Sequence, residues 1–193
     1  MLNLPNLLSA SRVILLVPFI SFLQGGSYRS ALAVGFVAAL TDLFDGALAR
    51  RLRQQTLLGT YLDPAADKLF MTASFIFLAA SGLLPLWLTV LVIGRDVVIV
   101  LGVLILRLLS FSVEARPTMA SKITTALQLA TIGAPIFGLA VYPAPWLTQS
   151  LILATCAGTI ISGLQYVLRG VNIFRKGRGD FPTGDEEKRR RLS

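Results

Sequence analysis

Six apolar stretches, each long enough to cross a lipid bilayer, limit most strongly what this chain can fold into. They lie near residues 4–24, 30–49, 65–84, 86–109, 119–142 and 146–168. A helix needs about 20 apolar residues to span the hydrocarbon core of a membrane. With 54% hydrophobic residues, the 193-residue chain also carries more apolar surface than a soluble domain of its size would bury. The sequence therefore predicts an all-α integral membrane protein with six transmembrane helices.

The first stretch is the weakest of the six, because Pro5 and Arg12 interrupt it. Residues 1–11 could instead lie along the membrane interface as a short amphipathic helix. A cleaved signal peptide is disfavoured, since no basic residue precedes Arg12 and a good cleavage site is lacking.

Basic residues mark alternate links between the stretches. They cluster after the second stretch, after the fourth and in the tail, whereas the links SGLLP and YPAPW have none and QGGSYR has only Arg29. The positive-inside rule then places both termini in the cytoplasm, as an even number of spans requires. We expect one transmembrane domain over residues 1–170 and a polar, basic cytoplasmic tail over residues 171–193. The net charge of +8 thus reflects membrane orientation and lipid contact rather than nucleic-acid binding.

Four carboxylates crowd into a short segment between and within the second and third stretches. Asp42 and Asp45 are three residues apart and Asp63 and Asp67 are four apart, so each pair lies on one helical face. Pro64 suits the first turn of the third helix. If the two helices pack antiparallel, all four carboxylates converge near the cytoplasmic interface.

The negative charge of carboxylates inside a membrane must be neutralised, since one Asp at the bilayer centre costs about 2.5–3.5 kcal/mol. Ion pairs with Arg50, Arg51 and Lys68 could compensate one or two of them. Two divalent cations would neutralise all four, and paired metal ions are common in phosphoryl chemistry. The chain has no histidine, so the ligands are oxygens, which favours Mg²⁺ or Mn²⁺.

The segment fits the pattern D-x₂-D-G-x₂-A-R-x₈-G-x₃-D-x₃-D without departure. The pattern falls on Asp42, Asp45, Gly46, Ala49, Arg50, Gly59, Asp63 and Asp67. This arrangement resembles the signature of the CDP-alcohol phosphatidyltransferases. The six predicted spans, up to about residue 170, are also similar to the six-span layout of that family. The resemblance implies a membrane enzyme that transfers a phosphatidyl group from CDP-diacylglycerol to an alcohol and releases CMP. It also implies a homodimer in the bacterial inner membrane, with the active site facing the cytoplasm.

The resemblance assigns a role to each motif residue. Asp42, Asp45 and Asp63 would hold metal, and Asp67 would hold the second metal and act as general base. The CDP-binding residues would be Asp42, Gly46, Ala49, Arg50 and Gly59. The small residues could equally serve close helix packing, which is common in membranes.

The acceptor alcohol is less well defined by the sequence. The runs NLPNLLSASRVILLVPF and GTYLDPAADKL resemble bacterial phosphatidylglycerophosphate synthases and single-domain cardiolipin synthases. The runs GRDVVIVLGVLI and RPTMASKITTALQ are more similar to the cardiolipin synthases. Glycerol 3-phosphate is the favoured acceptor and phosphatidylglycerol the alternative, with inositol phosphate and serine left open.

Cationic residues outside the motif could bind the acceptor's phosphate. The candidates are Lys122 first, Arg169 second, and then Arg95 and Arg116. Arg95 could instead be held by an ion pair within the membrane, and the others could simply orient their helices.

Two rival functions fit part of the pattern. A membrane prenyltransferase also binds a diphosphate through metal-bridging aspartates, but it would need a second Asp-rich motif. A cation-conducting transporter could use intramembrane acids as an ion path, but here the acids crowd one end of the helices.

Overall fold

The computed structural model describes the backbone of residues 4–52, 57–109 and 118–177, and the side chains of residues 11–41, 68–106, 108–109 and 118–175. The described backbone forms six α-helices and no β-strand. In chain order they are α1 (Leu4–Gln24), α2 (Tyr28–Leu52), α3 (Leu57–Ala80), α4 (Leu86–Leu108), α5 (Met119–Ala140) and α6 (Pro145–Gly177). The predicted all-helical class is confirmed.

Three of these helices are long and apolar enough to cross a membrane within the described residues. They cover Leu86–Leu106, Met119–Ala140 and Pro145–Arg175. The apolar parts described in α1, α2 and α3 are shorter and cover Ser11–Gln24, Tyr28–Thr41 and Lys68–Ala80. The chain is therefore an integral membrane protein with at least three helices of spanning length.

Two helix boundaries differ from those expected from the apolar stretches. Helix α3 begins at Leu57 instead of residue 65, so Pro64 lies well inside the helix and its expected place in the first turn is wrong. Helix α6 continues to Gly177, beyond the expected tail boundary at residue 170. Hydropathy marks where the hydrocarbon ends, whereas a helix continues through polar residues because its backbone hydrogen bonds do not depend on side-chain polarity.

Helix α1 is continuous from Leu4 to Gln24 and packs against α2 and α3. Residues 4–11 therefore do not form a separate helix. Phe19 is 1% exposed, and its ring lies 5.3 Å from that of Phe70 on α3. Gly35 on α2 faces the same ring, because a Cβ there would lie 3.1 Å from Phe19 Cε2. These contacts hold together the half of the bundle that contains the carboxylate motif.

Helices α5 and α6 meet along a row of fully buried polar side chains, which we call the polar seam. It comprises Thr124, Gln128 and Thr131 on α5 and Thr155, Thr159 and Ser162 on α6. The hydroxyls of Thr131 and Thr155 lie 2.7 Å apart, and Thr124 donates to the carbonyl of Gly158 over 3.0 Å. Interhelical hydrogen bonds and close approach at small residues stabilise such contacts in membranes.

Replacing Gly158 by leucine should separate α5 from α6. A Cβ at this position would lie 3.1 Å from Thr124 Oγ1 and 3.6 Å from Leu127 Cδ1, so a larger side chain cannot enter without displacing the helices. We expect Gly158→Leu to destabilise the fold by about 1–3 kcal/mol and to lower the midpoint of thermal unfolding in detergent. Gly102→Leu is the matched control, because nothing lies within 4 Å of a Cβ at that position. Equal midpoints for the two variants would contradict a close contact at Gly158.

Candidate active site

The motif residues belong to the two helices joined by residues 53–56. The backbone is helical at Asp42, Asp45, Gly46, Ala49 and Arg50 on α2 and at Gly59, Asp63 and Asp67 on α3. Their side chains lie outside those that the structure describes, so the convergence of the four carboxylates stays a prediction. The described geometry begins at Lys68, the residue that directly follows Asp67.

Lys68 connects α3 to α4 through an ion pair. Its Nζ lies 2.5 Å from Asp96 Oδ2, and the other carboxylate oxygen of Asp96 accepts a hydrogen bond from Arg95 Nη1 over 2.8 Å. The Asp96 side chain is only 16% exposed. A carboxylate so deeply placed needs close cations, and these two satisfy both of its oxygens. The sequence also allowed Lys68 to pair with the motif carboxylates, and the structure shows it bound to Asp96.

Arg95 in turn connects α4 to α5 and α6. It is 8% exposed, and its Nη2 donates to Ser121 Oγ over 2.8 Å and also to Ser162 Oγ. The Tyr166 ring centroid lies 5.8 Å from Arg95 Cζ, within the range of a cation–π interaction. The ion pair allowed by the sequence is therefore present, with hydroxyls and an aromatic ring added. Arg95 Nε has no hydrogen-bond partner among the described residues.

The hydrogen bond between Arg95 and Ser121 fixes where α5 begins along the length of α4. Thr118 caps α5 by accepting a hydrogen bond from the Ser121 N–H, and Ser121 contacts Arg95 near the middle of α4. Beyond this level α4 continues for about 18 Å from Asp96 to Leu108, at 1.5 Å per residue. The first turn of α5 therefore lies level with the Asp67–Lys68 turn of α3, well inside the ends of α4 and α6.

The four predicted acceptor-binding cations occupy different positions. Lys122 is exposed in the first turn of α5, directly after the Ser121 that binds Arg95. Arg169 is exposed on α6, about 10 Å along the helix from Ser162, and lines a groove of about 360 Å³ between α4 and α6. Arg116 lies outside the described residues. The structure thus places Arg95 and Lys122 at one level and Arg169 farther toward the end of α6.

Sequence reasoning did not identify the hydroxyl partners of Arg95. Ser121 and Ser162 are 26 and 67 residues away in the chain, and no motif joins them. A weak signal was present, since both are hydroxyl side chains within helices that are otherwise rich in apolar residues. The polar seam ends at Arg95, because the last residue of the seam, Ser162, accepts a hydrogen bond from it.

The sequence model of the CDP-alcohol phosphatidyltransferase family matches residues 2–161. The chain belongs to this family. The matched range contains the complete carboxylate motif, Lys68, the Arg95–Asp96 pair and Lys122. This membership leaves the transporter alternative without support.

Members of the family with different acceptors are similar to the chain to the same degree. A protein of Aquifex aeolicus named CDP-diacylglycerol–glycerol-3-phosphate 3-phosphatidyltransferase is 34% identical over 91% of this chain and 99% of its own length. A probable phosphatidylglycerophosphate synthase of Mycobacterium tuberculosis is 33% identical, covering 88% of this chain and 82% of its own. A probable CMP-forming cardiolipin synthase of Drosophila melanogaster is 34% identical over 90% of this chain, and the match spans only 59% of that relative.

Proposed function

We propose that the chain transfers a phosphatidyl group from CDP-diacylglycerol to glycerol 3-phosphate and releases CMP. The observation that carries this proposal is the end-to-end match with the Aquifex aeolicus relative, which covers 99% of a protein named for that acceptor. The alternative acceptor is phosphatidylglycerol, as in cardiolipin synthesis. It is supported by the Drosophila melanogaster relative, which is 34% identical over 90% of this chain.

We further propose that all six helices cross the membrane and that both termini lie in the cytoplasm. The basic links after α2 and α4 support this topology. The motif then faces the cytoplasm, and the membrane would be a bacterial inner membrane. A homodimer follows from the family resemblance and stays part of the proposal.

The motif has the donor chemistry for two divalent cations, because it offers four carboxylates and the chain has no histidine. Oxygen ligands of this type suit Mg²⁺ or Mn²⁺. Asp42, Asp45, Asp63 and Asp67 would hold the ions. When bound, such ions neutralise charge that develops on the leaving CMP.

The protein's own residues would then orient and deprotonate the reactants. The acceptor hydroxyl oxygen attacks the phosphorus that carries the diacylglycerol, and the bond from that phosphorus to CMP breaks. The hydroxyl proton passes to the Asp67 carboxylate, which acts as general base. Gly46, Ala49 and Gly59 leave room for the CDP group because they lack bulky side chains, and Arg50 offers a cation to its phosphates.

Lys122 is the first candidate for binding the acceptor's phosphate, with Arg169, Arg95 and Arg116 as further candidates. This choice is supported by the depth of Lys122 in the bundle. Lys122 and Ser121 lie at the same depth as the Asp67–Lys68 turn. Ser121 and Ser162 position the Arg95 guanidinium, which is largely buried. A cationic pocket at this depth would bring an anionic, water-soluble acceptor next to the general base.

Lys122→Ala should raise the KM for the acceptor about 10- to 100-fold and leave the KM for CDP-diacylglycerol nearly unchanged. This range corresponds to the loss of one charge-assisted hydrogen bond worth about 1.5–3 kcal/mol. Initial rates of CMP release at varied concentrations of each substrate measure both constants. Arg175→Ala is the matched control, since Arg175 is an exposed cation near the end of α6. An equal rise in both KM values would argue against a phosphate pocket at Lys122.

The function itself is tested by CMP release from purified protein supplied with CDP-diacylglycerol and Mg²⁺ or Mn²⁺. Glycerol 3-phosphate, phosphatidylglycerol, inositol phosphate and serine are offered separately, and EDTA is added to a parallel set. We expect metal-dependent release with glycerol 3-phosphate. Release with phosphatidylglycerol alone would assign cardiolipin synthesis, and release that persists in EDTA would refute the metal site.

A further inference from the structure

A buried arginine lies on the inner face of α1. Arg12 is 4% exposed and precedes the buried Phe19 by seven residues. Seven residues are almost two helical turns, so both side chains lie on the same face of the helix. The side chains on the outer face between them, Val13, Ile14 and Val17, are apolar and exposed. The guanidinium of Arg12 is therefore inside the bundle, on the side away from the lipid.

The contacts of Phe19 define one level at which α1, α2 and α3 meet. The Phe19 ring lies 5.3 Å from the ring of Phe70 on α3. A Cβ at Gly35 on α2 would lie 3.1 Å from Cε2 of the same ring. These three residues, which we call the Phe19 layer, show which face each helix turns toward the other two.

The positions two turns from the Phe19 layer carry charged residues on all three helices. The links between these helices have at most four residues, so α1 and α3 run in one direction and α2 in the other. Seven residues along each helix, or about 10.5 Å, the positions are Arg12 on α1, Asp42 on α2 and Asp63 on α3. A step of seven residues changes the angular position by only about 20°. The backbone register therefore places Arg12 level with two aspartates of the motif.

The charge of Arg12 needs a counter-charge inside the bundle, because burying a charged group without a partner is costly. Among the side chains that the structure describes, Asp96 is the single carboxylate. Its two oxygens already bind Lys68 and Arg95. The counter-charge of Arg12 therefore belongs to a residue outside those side chains, and Asp42 and Asp63 are the acidic residues at its level.

We propose that Arg12 is a positioning residue of the carboxylate motif, and that its guanidinium donates hydrogen bonds to Asp42 and Asp63. A guanidinium has five N–H donors in a fixed fork, so one side chain can hold two carboxylates in a set geometry. Such hydrogen bonds orient the carboxylate oxygens that face a metal ion. Arg12 thus supplies the neutralising charge that Lys68, bound to Asp96, does not supply. The effect on metal binding rests on the proposed function, whereas the ion pairs themselves do not.

Binding of Mn²⁺ to the purified full-length chain, without substrate, tests the positioning role. The concentration of free Mn²⁺ is measured from its electron paramagnetic resonance signal. Arg12→Gln should weaken Mn²⁺ binding about 10- to 100-fold, the range for loss of a hydrogen-bond partner of a metal ligand. Arg12→Lys keeps the charge but loses the fork, so its effect should be smaller. Arg29→Gln, which replaces a cation at the other end of the α1–α2 pair, is the matched control and should bind Mn²⁺ like the parent.

A double-mutant cycle in EDTA tests the ion pairs in the absence of metal. The SDS concentration at the midpoint of unfolding is measured for Arg12→Gln alone and combined with Asp42→Asn or Asp63→Asn. The loss of stability caused by Arg12→Gln should fall to about half when either aspartate has already been replaced, because residues in contact are not additive. Asp96→Asn is the control background, since the oxygens of Asp96 are bound elsewhere. In that background Arg12→Gln should cause its full loss.

Two results would overturn the proposal. Mn²⁺ binding by Arg12→Gln that equals or exceeds that of the parent would show that Arg12 does not orient metal ligands. Full additivity of Arg12→Gln with both motif aspartates would show that its counter-charge lies elsewhere. If the parent itself bound no Mn²⁺, the proposed metal site would fail, and the cycle in EDTA would still decide whether Arg12 holds the motif carboxylates.

Discussion

Asp67→Asn should release CMP about 10²- to 10⁴-fold more slowly than the parent protein while still inserting into the membrane. The amide is close in size to the carboxylate but cannot accept the proton of the acceptor hydroxyl, and general-base catalysis contributes this range. CMP release with saturating substrates measures the effect. Asp180→Asn, in the tail, removes a carboxylate outside the motif and should retain full activity.

The same variant can distinguish a base from a metal ligand. If Asp67 serves mainly as a ligand, raising the Mn²⁺ concentration should restore much of the rate, since weakened binding is overcome by mass action. If it is the base, added metal should have little effect and the rate should stay low. Parent-like turnover by Asp67→Asn at ordinary metal concentration would remove this residue from the mechanism.

Asp96→Asn should destabilise the folded protein by about 3 kcal/mol, the lower end of the range for removing one partner of a buried ion pair. Among the described residues, Asp96 is the single carboxylate that faces both Lys68 and Arg95, so its loss leaves two neighbouring cations without this counter-charge. The free energy of unfolding can be measured by SDS titration in mixed micelles. The variant should also lose order at the start of α5, because Arg95 positions Ser121 there.

Lys68→Met is the matched comparison for this prediction. It removes a cation whose side chain is 42% exposed, and Asp96 keeps its contact with Arg95. We expect a destabilisation well below that of Asp96→Asn, since exposed ion pairs contribute at most about 1 kcal/mol. If both variants lose the same free energy, Arg95 does not stabilise Asp96 in the way that the contacts imply.

Much of the fold could be predicted because a membrane imposes a length on every helix that crosses it. The stretches predicted near 86–109 and 119–142 agree closely with α4 and α5. The predictions were less accurate where helices leave the hydrocarbon, as at the start of α3 and the end of α6. At these positions the side chains become polar, but the backbone hydrogen bonds of the helix continue.

The candidate site could be proposed from the sequence because its motif residues are close in the chain. The eight motif positions lie within 26 residues, from 42 to 67, and helical spacing alone groups the carboxylates into two pairs. The surroundings of Arg95 were not predictable, because Ser162 and Tyr166 reach it only through the lateral placement of α6 beside α4. A hydropathy pattern defines each helix and its direction, but it does not define the helix's neighbours.

The length of α6 makes the chain sensitive to the thickness of its bilayer. Its 33 residues extend about 50 Å, whereas the hydrocarbon core is about 30 Å thick. The excess of about 20 Å can be accommodated by tilting or by projecting through the headgroup layer. Arg169 and Arg175 lie in that terminal part and would meet headgroup phosphates, which favours projection. A thicker membrane would draw these cations toward the hydrocarbon, so hydrophobic mismatch would act on the same helix that carries Ser162 and positions Arg95.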